Sequence, residues 1–266
     1  LQGLAILGLA RAGRLLGDAR MKGRARELAD HVLRVMVRPD GTLARRALGE
    51  TVGIDARLED HAYLGLGLLE LHRADGDPRW LREAAARADA AVERFADEDG
   101  GFLSAAEDQA GPLPLRPRSL TDAAVPADSV AAAELVWRVA RLQDRPERAE
   151  RARRTVAPLA EAAGRHPQAL ASTLALLDVM RAPPRELAVT GPDVAGGAEL
   201  WEVASRRPLD AWEVQRAPAP EDGPLVQNRD TVEDRAAAWV CTGYACRLPV
   251  TEPEALARAL DEADSG

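Results

Sequence analysis

The sequence predicts a mainly α chain, stacked helical hairpins followed by a small α/β C-terminal appendage, and three observations carry that expectation. The first is a repeat. Gly17-Asp18 recurs as Gly76-Asp77 and Asp40-Gly41 as Asp99-Gly100, with the same twenty-two positions between the aspartates of each unit. A weaker third copy runs from Gln143-Asp144 to His166-Pro167. A period of about 60 residues with two helices per unit is the signature of stacked α-hairpins. The second observation is a contrast within each unit, one helix apolar on most sides and its partner on one face only. The third is the change from helical to strand-like periodicity after Pro183-Pro184.

The elements follow in order. Residues 2–16 read as an Ala/Leu/Gly helix, apolar nearly all round, and residues 18–37 as an amphipathic one with Leu28, Val32, Val35 and Met36 on one side. Residues 58–74 are again apolar on most sides, whereas 78–96 set Trp80, Leu81, Ala84, Ala88, Val92 and Phe95 against Arg82, Glu83, Arg87, Glu93 and Arg94. Residues 128–143 and 145–163 repeat the contrast, which a two-layer ring of helices produces. Asp77 reads as an N-cap with Pro78 at the first helical position, and Asp144 with Glu147 as an Asp variant of the capping box. A further helix is expected over 167–181. Beyond it, 186–190, 211–217 and 236–241 read as strands, accompanied by helices at 193–207 and 252–263 and a Pro/Gly/Asp-rich loop at 217–224. The domain division is therefore 1–183, helical hairpins, and 184–266, the appendage.

Composition excludes some partners. A net charge of −8 leaves no dense basic face for nucleic acid, and no apolar run reaches membrane-spanning length. Arginines alternate with acids, as on solvated helix faces. The chain does not begin with Met and opens inside an uncapped apolar pattern, so a piece of a longer protein is expected; a cytoplasmic location is expected separately, with the cysteines reduced. Inner-helix faces left without neighbours, notably 2–16, are expected to favour association. Cys241 and Cys246, with four residues between them, lack both zinc-site company and CxxC spacing. They read as two reduced thiols, although a disulfide is geometrically open to them. No cofactor and no metal are expected.

The long loops 38–57 and 97–127 lead into apolar helices and should gather at one mouth of the ring. They deliver Glu59, Asp60 and His61 to one helix start and Asp122, Asp128 and Ser129 to the next, with Arg116 and Arg118 in the second loop and Tyr63 nearby. Glu59, Asp60, Asp122 and Asp128 are the catalytic candidates, because paired carboxyls perform general acid/base chemistry on a polyol or sugar. His61, Tyr63, Arg116, Arg118 and Ser129 are the ligand-binding candidates. A structural reading stands beside this one: acids in a first helical turn complement the helix dipole, and Asp128 or Ser129 serves as an N-cap.

The tail from Ala238-Trp239-Val240-Cys241 to Leu248-Pro249-Val250-Thr251 resembles the ending of the thioredoxin-domain-containing family related to spermatogenesis-associated protein 20. Leu58-Glu59-Asp60, Gly100-Gly101-Phe102, Leu115-Arg116-Pro117-Arg118, Asp122 to Pro126 and Arg185 to Gly191 resemble further motifs of that family in the same order. The resemblance implies a longer parent: an N-terminal thioredoxin-like domain, then an (α/α)6 toroid of the six-hairpin glycosidase type, of which this chain would be a partial toroid plus the tail. Leu1-Gln2 and His61 depart from the family pattern, and the loop at Asp122 to Ser129 is one residue shorter and lacks a glycine.

Two functions are compatible with these residues. One is a carbohydrate-related toroid that binds or processes a sugar or sugar-like small molecule in the manner of a glycoside hydrolase or sugar epimerase. Glu59 or Asp60 would be one acid/base and Asp122 or Asp128 the other. The alternative is a non-catalytic interaction module serving the thioredoxin-like domain. Carboxyls about 5–10 Å apart across an open pocket favour the first; acids engaged by backbone amides or arginines favour a structural role.

Overall fold

The computed structural model describes residues 1–48, 51–109, 116–217 and 224–265. Leu115 of the second-loop motif and all but the ends of the 217–224 loop lie outside the described residues. The chain is mainly α. Helix α1 (Gln2–Leu15) turns through Gly17-Asp18 into α2 (Ala19–Met36), where the Asp18 carboxylate accepts the Arg20 and Met21 amides at 2.8 and 3.2 Å. Helix α3 (Leu58–Asp75) ends on left-handed Gly76, and the Asp77 side chain caps α4 (Pro78–Phe95) by accepting the Arg79 amide at 2.9 Å. The third pair is α5 (Asp128–Leu142) and α6 (Pro146–Val156).

These hairpins stack in two layers. α3 and α5 are buried on nearly every side, with Leu58, Leu68, Leu71, Ala132 and Leu135 fully so, while α2, α4 and α6 bury one face. α1 packs on α3 and α3 on α5. Glycine makes the α1–α3 approach close: a Cβ on Gly67 would lie 2.6 Å from the Gly3 carbonyl oxygen. At the ends of α1, Leu1, Leu15 and Leu16 are exposed.

The repeat has a physical basis. After α2, Gly41 takes φ +83° within a turn closed by the Val37–Leu43 bridge. After α4, Gly100 takes φ +95° within a turn closed by the Ala96–Phe102 bridge. A side chain is strained at such φ, so the two Asp-Gly pairs mark the same turn.

The structure departs from expectation in several elements. The 38–57 loop is partly a β-hairpin, with β1 (Ala44–Leu48) antiparallel to β2 (Thr51–Asp55) in the register Ala44 to Asp55. The helix expected over 145–163 breaks at Ala157–Leu159, a 3-10 turn, before α7 (Ala160–Arg165). Pro158 has no amide to continue the α-helical ladder. The Asp144 capping box does not form: Asp144 is left-handed at φ 53°, and Arg145 occupies the cap position without a side-chain bond. Helix α8 (Ala171–Arg181) starts four residues later than 167.

The tail builds β3 (Arg185–Thr190), α9 (Gly197–Ser205), β4 (Trp212–Ala217), β5 (Ala237–Thr242), β6 (Ala245–Cys246) and α10 (Pro253–Ser265). The strand order is β4-β3-β5-β6, with β3 and β4 parallel across the α9 crossover and the other pairs antiparallel. Leu187, Val189, Trp212, Val214 and Val240 of the sheet pack with Leu200 and Trp201 of α9 and Leu256 and Leu260 of α10. The expectation of two reduced thiols is corrected: Cys241 and Cys246, directly opposite in the β5–β6 pair, form a disulfide.

Arginines join the sheet's loops to the inner helices, which the solvated-face reading did not anticipate. Arg14 donates to the Ser205 carbonyl at 2.7 Å and also to that of Arg207. Arg73 donates to the Trp212 carbonyl at 2.8 Å and Arg138 to that of Asp210 at 2.8 Å. The carbonyls lie between the end of α9 and the first residue of β4, and each guanidinium in the last turns of an inner helix.

Candidate functional site

The first turn of α3 carries Glu59 and Asp60 side by side, and β1, packed on α2, sends one arginine across to it. β1 therefore places Arg45 where one guanidinium meets both acids: Nη2 lies 2.6 Å from Glu59 Oε1 and Nη1 2.9 Å from Asp60 Oδ2. Asp60 Oδ2 also accepts the Arg57 amide at 2.9 Å, which satisfies an open donor of the helix start. Burial, helped by the neighbouring Glu59 charge, outweighs these bonds and moves the Asp60 carboxyl above its ordinary range. Burial opposes the charge on Arg45, yet its two acids more than compensate and its pKa is raised.

Beside this clamp lies an open cavity of about 370 Å³. Arg45, Arg46, Asp60, Tyr63, His31 and Gln2 are its polar lining. Tyr63, one helical turn on from Glu59, donates its hydroxyl to the Pro126 carbonyl at 2.6 Å and so pins the second loop over α3. Its pKa is pushed up to about 12, by burial first and then by the charges of Glu59, Asp128, Asp122 and Asp60. All four carboxyls thus act on one hydroxyl.

Their individual engagements differ. Asp122 accepts the Ser172 amide at 2.8 Å, the Ser172 hydroxyl at 2.5 Å and the Ala127 amide at 2.9 Å. Burial opposes its charge, but these donors prevail and hold its carboxyl below the usual range. Asp122 therefore staples the second loop to α8. Asp128, at the first position of α5, is buried and has no arginine partner among the described residues. Desolvation raises its carboxyl pKa against the hydroxyl of Ser104 and the amide and hydroxyl of Ser129. Ser129 is fully buried and donates to the Phe102 carbonyl at 3.0 Å.

His61 lies apart from this group. Two positions past Glu59 on the helix, it packs against Phe95 of α4 at 5.5 Å between ring centroids, and neither ring nitrogen has a hydrogen-bond partner among the described residues. Burial, then the charges of Arg87 and Arg94, lower its pKa to about 3. Arg118 is drawn to Asp97, whose other oxygen accepts the Gly101 amide at 2.8 Å, so it braces the repeated turn. Arg116 is half-buried, with no ion pair among the described residues.

The sequence reading passed over Arg45, the group that unites the acids. The adjacent Arg45-Arg46 pair in the loop feeding Glu59-Asp60 was the available signal. Among the described residues no group of three His, Cys, Asp or Glu side chains is arranged to hold a metal ion. Nor is any described helix long and apolar enough to cross a membrane.

The chain is distantly similar to spermatogenesis-associated protein 20. It is 25% identical to the Rattus norvegicus protein over 277 residues, covering 98% of this chain and 35% of that protein. It is 26% identical to the Homo sapiens protein over 279 residues, covering 97% and 35%. The chain thus spans about a third of the length of the curated relatives it matches. No family model matches it.

Proposed function

We propose that the helical body is part of an (α/α)6 toroid of the six-hairpin glycosidase type, and that the cleft beside Arg45 binds a sugar or sugar-like small molecule. The observation that carries this reading is the Arg45 clamp at the edge of an open cavity. One guanidinium bridging Glu59 and Asp60 presents charged donors and acceptors in fixed positions, the arrangement that recognises vicinal hydroxyls. The same clamp argues for binding ahead of processing, because both of its carboxylates are already engaged by Arg45. Processing would need a group able to hold a proton; burial raises both Asp60 and Asp128, and of these Asp128 has no arginine partner among the described residues.

Calorimetric titration with hexoses, amino sugars, sugar phosphates and inositol tests the reading. Saturable binding to at least one, abolished by Arg45→Ala in a variant that melts as a folded protein, is the expected result. Absence of binding across the panel removes it. A second reading, an interaction module serving an N-terminal thioredoxin-like domain, draws on the two-thirds of the relatives' length that this chain does not match. Pull-down of such a domain, unaffected by Arg45→Ala, would favour it.

A further inference from the structure

The Cys241–Cys246 disulfide lies in the sheet, remote from the Arg45 cleft in sequence and element. It spans the β5–β6 hairpin, whose two-residue turn, Gly243-Tyr244, has both residues left-handed at φ 59° and 67°. The two sulfurs are unequal: Cys241 is 1% exposed, whereas Cys246 faces solvent. Arg229 reaches both of them. Its Nη2 is 3.2 Å from Cys241 Sγ and 3.1 Å from Cys246 Sγ, while its Nη1 donates to the Leu225 carbonyl. Glu186 Oε2 lies 3.5 Å from the same Nη2, and Arg141 lies 3.7 Å from Glu186 and 3.6 Å from Glu213, so two guanidiniums face two acids and Arg229 is the cation in contact with the sulfurs. Two large apolar side chains stand open on either side of Cys246, Tyr244 at 73% and Leu248 at 88% exposure.

We propose that Cys241–Cys246 is a thiol–disulfide exchange site, and that its partner is a protein carrying two neighbouring thiols within an apolar surface. An incoming thiolate attacks Cys246 Sγ, the exposed sulfur. The S–S bond breaks, its electron pair leaves on Cys241 Sγ, and the new thiolate rests against Arg229 before taking a proton from water. The partner's second thiolate then attacks its own sulfur in the mixed disulfide, and Cys246 departs as a thiolate that is protonated in turn. The hairpin gains two electrons and two protons, and the partner's dithiol becomes a disulfide. A cation beside the leaving sulfur lowers its basicity, and exchange is faster when the leaving thiolate is less basic. Tyr244 and Leu248 supply the apolar surface for a protein, which a small thiol would not use.

The test uses the whole chain, oxidised and undenatured, with free thiols counted by alkylation and mass. Dithiothreitol should release both thiols without denaturant, and a Cys-x-x-Cys protein dithiol should do so at least tenfold faster at equal concentration. Arg229→Gln should slow both reactions about tenfold and Arg229→Lys should restore most of the rate. Leu248→Ser should slow the protein reaction alone. With glutathione disulfide, Cys241→Ser should accumulate a mixed disulfide at Cys246, and Cys246→Ser should accumulate none at buried Cys241. Failure to form the intramolecular disulfide, thiols released only by denaturant, or a rate indifferent to Arg229→Gln in a folded variant would overturn the exchange site. A protein dithiol no faster than dithiothreitol would overturn the partner.

Discussion

Arg14 and Glu70 form an ion pair inside the protein: Arg14 Nη2 lies 2.8 Å from Glu70 Oε1, and the two side chains are 1% and 4% exposed. Arg11 and Arg73 approach the same carboxylate at 3.5 and 3.8 Å. Burial opposes the Glu70 charge, but Arg73, Arg14 and Arg11 outweigh it and keep its pKa below the ordinary value. Glu70 is therefore the counter-ion that lets three arginines lie at the joint between the inner helices and the sheet. Glu70→Ala should cost about 3–5 kcal/mol, since it leaves buried guanidiniums uncompensated. Arg14→Met with Glu70→Met should cost less than the two single changes added together. Urea unfolding of the parent, Glu70→Ala, the two single Met variants and the double Met variant measures both, and an additive result would mean that the pair is not coupled.

His61 should make the protein acid-sensitive well above the carboxylate range. Its folded pKa is lowered from 6.5 to about 3, so between these values the unfolded chain binds a proton that the folded one refuses. Stability from this group is complete above 6.5 and falls with pH by about 1.4 kcal/mol per unit. His61→Leu should flatten the pH dependence of unfolding between pH 6.5 and 4. An unchanged slope would place the titration elsewhere.

Asp128 has the opposite sign. Its folded pKa is raised above 3.8, so its ionisation destabilises the fold as pH rises through that shifted value, and protonation below it removes the cost. Asp128→Asn should raise the melting temperature at pH 7, with the gain shrinking toward pH 4. A variant less stable than the parent at pH 7 would show that the charged form is the one stabilised.

Gly67 should tolerate no side chain. Its missing Cβ would fall 2.6 Å from the Gly3 backbone oxygen and 3.2 Å from Ile6 side-chain atoms. Gly67→Ala gains helix propensity in principle, yet overpacking should make it destabilising by about 1–3 kcal/mol. Gly8→Ala, on the open side of the partner helix where a Cβ meets nothing within 4 Å, should be neutral or stabilising in the same chemical denaturation series.

What could be read along the chain was whatever depends on near neighbours. Asp18 and Asp77 cap helices because a carboxylate reaches amides two or three positions on. The Asp-Gly pairs mark turns because glycine alone adopts their φ without strain, and the one-sided pattern of α4 implies an outer helix. Even locally a competing signal misled: Asp144 resembles a cap, but the helix begins one residue later, at Pro146.

Tertiary structure decided which charges meet. Arg14 and Glu70 stand 56 positions apart and Arg45 and Glu59 14, separations at which alternating arginines and acids look the same whether they face water or one another. Likewise the sequence placed Glu59, Asp60, Asp122 and Asp128 at helix starts, but only the packing bound the first two to Arg45, stapled Asp122 to Ser172 and left Asp128 buried without an arginine among the described residues. The cysteine spacing permitted either redox state, and the β5–β6 pairing set the two sulfurs face to face. Periodicity records how much of a residue is covered; the partner covering it is fixed by the path of the chain, which short-range spacing does not contain.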